Sequence, residues 1–98
     1  MQAYSEKSEE ETIQTVVFRL GEDFLSCPVS QVQEIVKVED ITSLPKSRKE
    51  VRGVIDRRGN VITIIDLAKA LKKDVKLPVK QSQLIILHDE EENIGVLV

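Results

Sequence analysis

Between positions 51 and 65 two β-branched runs, Val54-Ile55 and Val61-Ile62-Thr63-Ile64-Ile65, stand on either side of Arg58-Gly59-Asn60. Gly59 and Asn60 both tolerate positive φ, so strand formers flanking this break predict a β-hairpin with a tight tip. The rest of the chain has to supply strands for that hairpin to pack with. Only three residues are aromatic (Tyr4, Phe18, Phe24) while 41% are hydrophobic, so the core must be built from Val, Ile and Leu. Those residues favour strands. With 98 residues the chain fits one small domain with a thin stability margin.

Further strands are readable on both sides. Thr15 to Leu20 alternates, with Val16, Phe18 and Leu20 on one face, the pattern of a half-buried strand. Gly21-Glu22-Asp23 supplies a turn and residues 24–29 return as a second strand, placed at an edge or ended there by Pro28. Residues 30–34 predict a single helical turn, with Ser30 as cap and Gln33 closing a capping box. A strand at 35–38 follows, then a loop over 39–50 with Thr42, Ser43 and Pro45 as turn residues. After the hairpin, Asp66 caps a short helix over 67–73 whose buried face is Leu67, Ala70 and Leu71. A connector at 74–82 leads to two last strands, 83–87 and 94–98. Residues 1 to about 12 (MQAYSEKSEEET) are polar and aperiodic and read as a disordered acidic tail, leaving 13–98 as the domain. About seven short strands, two minor helices and no regular βαβ alternation predict an all-β small barrel or sandwich.

Charge and chemistry exclude several functions. The net charge of -3 resides in the opening segment, where Glu6, Glu9, Glu10 and Glu11 face Lys7 alone. Residues 46–58 carry six basic side chains against Glu50 and Asp56, which suits an acidic partner or a well-solvated loop. His88 is the only histidine and lacks a nucleophile or orienting group at useful spacing. One Cys and one His cannot build a structural zinc site, and 89–92 lack the spacing and glycine of a calcium loop. No glycine-rich phosphate loop is present. The expectation is therefore no enzyme, no metal and no cofactor. A small nucleic-acid-binding barrel is the alternative of a different class, but it lacks the aromatics that stack bases. The single Cys27 fits a buried strand position and a reducing cytosol, and no apolar run approaches the ~20 residues that span a bilayer.

The ordered set Leu20-Gly21-Glu22, Val32-Gln33-Glu34-Ile35, Leu44-Pro45, Val51-Arg52-Gly53-Val54-Ile55, Arg58-Gly59, Val61-Ile62 and Ile65-Asp66-Leu67, closed by Ile94-Gly95-Val96-Leu97-Val98, resembles the CheW family. The likeness covers residues 15–98. It implies two small SH3-like barrels sharing a core, and a cytoplasmic chemotaxis adaptor. Such an adaptor couples the cytoplasmic tips of chemoreceptors to the regulatory domain of a histidine kinase and reaches the membrane only through its receptors. A CheW-like regulatory module of a larger chemotaxis protein is the neighbouring alternative.

Carried over by position, the implied partner-binding residues are Val32, Glu34, Gly53 and Arg58, to which Arg57 is added. Each has a second job open to it. Arg58 either offers its planar donor fork to a partner or pairs internally with Glu34. Gly53 admits the close approach of a partner or of a neighbouring strand. Val32 is an apolar contact or core. The chain departs from the family pattern at Asp56-Arg57, where Asn-Leu is usual, and at Thr63, where proline is common. The family domain runs on for roughly 40 residues more, which implies an incomplete second barrel, open strand edges and a strand-exchanged homodimer using residues 94–98.

Overall fold

The computed structural model describes residues 3–7, 14–38, 40–88 and 93–98, with backbone alone at 3–7. Its strands fall into two small sheets. Three of them, β1 (Ala3–Lys7), β2 (Gln14–Leu20) and β3 (Asp23–Pro28), form an antiparallel sheet in that order. The other five are β4 (Val32–Lys37), β5 (Val51–Arg57), β6 (Asn60–Asp66), β7 (Gln83–Leu87) and β8 (Ile94–Leu97), and they pair in the order β4-β7-β8-β6-β5. Short helical pieces join them: 3-10 turns at Val29–Gln31 and Val79–Gln81, and α1 at Leu67–Ala70. The architecture is mostly β with minor helices, as the residue pattern predicts.

The five-stranded sheet curls until its two edge strands meet. Glu34 on β4 hydrogen-bonds Arg57 on β5 across the seam. Thr42, a few residues beyond β4, exchanges two backbone bonds with Val54 on β5. The enclosed space is filled by Val38, Ile62, Ile64, Leu84, Ile86 and Leu97, all buried. A second cluster, Phe18, Ile85 and Val98, with Leu25, Cys27, Val32 and Val96 packed around it, joins the barrel to the three-stranded sheet. β7 therefore turns Leu84 and Ile86 into the barrel and Ile85 toward β2. Burial on both faces explains why it reads as the continuous apolar run Gln83-Leu84-Ile85-Ile86-Leu87 rather than an alternation. Each fully buried Leu or Ile here contributes roughly 1.5–3 kcal/mol of burial free energy.

Several local expectations are corrected. Ala3–Lys7, read as part of an unstructured tail, pairs along β2 from Ala3↔Phe18 to Lys7↔Gln14. The ladder is satisfied by backbone groups, so a polar segment can join an open strand edge without an apolar pattern of its own. Positions 1, 2 and 8–12 of that reading lie outside the described residues. The helical turn begins one residue early at Val29, capped by Pro28 with no side-chain cap bond, so the Ser30–Gln33 capping box does not form. Gln33 instead belongs to β4. The helix after Asp66 ends at Ala70, and its buried side chain is Ala68; Leu71 is exposed. Asp66 caps it as expected, its carboxylate accepting from the Lys69 N–H at 3.0 Å.

β8 lies between β6, which it pairs in parallel, and β7, which it pairs antiparallel. Residues 94–98 were expected to offer an open edge for strand exchange. With neighbours on both sides β8 has no edge to offer.

Candidate functional site at the barrel seam

β5 and β6 are joined by a two-residue loop, Arg58-Gly59, with Arg57 paired to Asn60. Both loop residues have positive φ, 55° for Arg58 and 83° for Gly59, the signature of a type I′ hairpin turn. The sequence pointed to Gly59 and Asn60 for this role; the true pair lies one residue earlier. A glycine is at home there, but an arginine in the left-handed region carries a steric penalty. Asp56 steadies the turn by accepting the Gly59 N–H at 3.1 Å.

Four of the five sequence-predicted residues gather on this side of the barrel. Glu34 sits at a register shift in β4, between Val32 and Glu34, which re-aims the strand next to the seam. Arg57 grips it in a fork: Nε donates to Oε1 at 2.5 Å and Nη2 to Oε2 at 2.9 Å. Both side chains are about two-thirds screened from solvent or more, at 30% and 27% exposure. Donation from Arg57 holds the Glu34 carboxyl below its ordinary value against an opposing push from burial, and the positive charges of Arg57 and Arg58 act in the same direction as that donation. Glu34 in turn raises the Arg57 guanidinium, chiefly through the same hydrogen bonds. Arg58 is exposed and makes no hydrogen bond or ion pair among the described residues. The internal partner of Glu34 is thus Arg57, not Arg58. Val32 is half-buried and packs against the cluster of Phe18, Ile85 and Val98.

Gly53 stands apart, at the other end of β5. It is buried, with φ 142°. A Cβ there would lie 2.1 Å from the Thr42 carbonyl oxygen and 2.8 Å from an Ile41 methyl. The close approach that the glycine permits is by the chain's own loop. Beside it Arg52 donates from Nη1 to Asp66 Oδ2 at 3.1 Å and to the Leu77 carbonyl at 2.9 Å. Asp66 is buried, so its charge is compensated by this guanidinium and by the helix N-terminus it caps. The sequence analysis overlooked this pair. Counting back from the hairpin tip places position 52 opposite position 65, one residue short of Asp66; the register shift between Val51 and Gly53 is not legible from the residues.

Other chemistry is sparse. Among the described residues no group of three or more His, Cys, Asp or Glu is placed to hold a metal ion, and no helix is long and apolar enough to cross a membrane. Burial pushes the Cys27 thiol up, away from the reactive thiolate. His88 is exposed, its backbone N–H bonded to the Gln31 carbonyl.

Comparison with known proteins matches this arrangement. The family model of the CheW-like domain matches residues 14–98. The chemotaxis protein CheW of Thermotoga maritima is 33% identical over 81 residues, covering 83% of this chain and 53% of that protein. The chemotaxis protein CheW of Treponema pallidum is 31% identical over 93 residues, covering 91% and 55%. The crystal structure of the scaffolding protein TtCheW from Thermoanaerobacter tengcongensis superposes with a TM-score of 0.78 at 32% identity, covering 86% of this chain and 55% of that one. The chain spans about half the length of the curated relatives it matches. From its ordered motifs, its two small sheets and these matches together, the chain belongs to the CheW-like domain family.

Proposed function

We propose that this chain is a non-catalytic chemotaxis adaptor module, linking the cytoplasmic tip of a chemoreceptor to the regulatory domain of a histidine kinase. In this reading it works in the cytoplasm and meets the membrane only through the receptor. The family supports the adaptor role. The observation that carries the location of the docking surface is Arg58: an exposed, unpaired guanidinium on a backbone conformation that an arginine adopts only at a penalty. An exposed residue held in a costly conformation with no hydrogen bond or ion pair among the described residues points to a role in contacts outside the chain. Its five-donor fork suits a carboxylate or the free carbonyls of a partner helix end. Glu34, Arg57 and Val32 form the ground on which it stands, while Gly53 acts through the fold. Calorimetric titration against a receptor tip and a kinase regulatory domain, with Arg58→Ala alongside, tests the reading. Weakened binding by a folded Arg58→Ala supports it, and unchanged binding moves the docking surface elsewhere.

A second reading concerns another copy of this chain. β3 is an edge strand of its sheet, and Phe24 on it is 66% exposed. Such an edge pairs readily with a second chain. In place of residues 94–98, β3 is the strand that a homodimer would use. Light scattering over a concentration series checks it, and a monodisperse monomer at every concentration rules it out.

A further inference from the structure

Two arginines stand side by side at the end of the hairpin, and one carboxylate lies across the seam from them. Arg57 takes both oxygens of Glu34, at 2.5 and 2.9 Å. Arg58 has no partner among the described residues, yet its charge reaches Glu34. A carboxylate already forked by one guanidinium has little to offer a second. Asp56, which could otherwise neutralise a neighbouring arginine, spends an oxygen on the Gly59 N–H.

We propose that Arg57 and Arg58 compete for Glu34 and that Arg57, by winning, is the positioning residue that leaves the Arg58 guanidinium open to a carboxylate on the partner. The last step rests on the docking reading above; the competition itself does not. A leucine in place of Arg57 would leave Glu34 unpaired beside a free guanidinium. Arg58 would then turn inward and the hairpin tip would lose its exposed cationic donor. This makes position 57 a determinant of how strongly the tip prefers an acidic partner.

The test needs no partner. Phenylglyoxal modifies arginines whose guanidinium is unpaired and accessible, and peptide fragmentation separates position 57 from position 58. In the native chain Arg58 should react faster than Arg57. In Arg57→Leu, the Arg58 rate should fall by roughly two- to fivefold, the population change that an exposed ion pair supports. In Arg57→Leu/Glu34→Gln, with no carboxylate left to pair, it should return to the native rate. An Arg58 rate that is the same in Arg57→Leu as in the native chain overturns the proposal. Should Arg57→Leu fail to fold, Glu34→Gln alone decides: labelling must rise at Arg57 and stay level at Arg58, and any other pattern overturns it. Loss of partner binding in Arg58→Ala tests the docking reading separately, because that variant leaves the Arg57–Glu34 pair intact.

Discussion

The barrel seam is closed twice, and by different chemistry. Near Gly53 it is closed by backbone: Thr42 and Val54 exchange bonds of 2.9 and 2.8 Å, packed so closely that no side chain fits at position 53. Near Arg57 it is closed by side chains, with one forked ion pair bridging β4 and β5. A backbone closure has no titratable group and no rotamer to change. A side-chain closure can be altered by protonation, by salt, or by substituting the next residue. The difference separates the fold-bearing end of β5 from its adaptable end.

The sharpest way to break that comparison is at position 53. Gly53→Ala places a methyl into the Thr42 carbonyl at a φ that side chains avoid. It should destabilise by about 3 kcal/mol or more, read by urea denaturation, with partner binding lost only through unfolding. Binding lost by a fully folded Gly53→Ala would instead make the two ends alike. Next in size, Arg52→Ala leaves the buried Asp66 carboxylate with its capping bond alone and should cost about 2 kcal/mol in the same assay.

Arg58→Asn should go the other way. Asn-Gly is the preferred pair for this turn, so stability should rise by roughly 0.5–1 kcal/mol while partner binding falls. A stabilised variant that binds normally would remove the argument from strain. The smallest effect lies at Glu34. Its folded carboxyl is held below the ordinary value of 4.5, so the pair stabilises the chain above that pH, and the contribution fades as pH falls through the folded value. Glu34→Gln should be less stable than the native chain at neutral pH, and thermal melts of the two should converge in acid. Raised salt should narrow the same gap, while leaving the effect of Gly53→Ala unchanged.

Much of this was legible in the residues. Period-two alternation located β2, and the β-branched runs around Arg58-Gly59 located β5 and β6, because one buried face writes that pattern directly. β1 was not legible: Ala3-Tyr4-Ser5-Glu6-Lys7 has no apolar period, and it becomes a strand only because β2 offers an edge. At the seam, an internal pairing of Arg58 with Glu34 was one of the two roles left open for that arginine. Which of two adjacent arginines reaches Glu34 depends on how far the sheet curls and on the register shift in β4, neither of which local sequence encodes. Similarly, Leu71 counted as core by helical spacing, but the helix stops at Ala70 and the spacing loses its meaning.

The placement of β8 bears on how the chain reaches this structure. The hairpin β5-β6 can form from neighbouring residues, and β4 joins β7 on the far side; the two pairs are tied by the ladders of β8 and by the short Thr42–Val54 bridge. Thr63 must wait for Ile94, and Leu84 for Leu97. During synthesis the hairpin leaves the ribosome well before the strand that fixes it in place, so its apolar face is exposed until residues 94–97 have emerged. Closing loops of that length slows folding. In the finished barrel β8 is the strand whose ladders tie the β5-β6 hairpin to the β4-β7 pair.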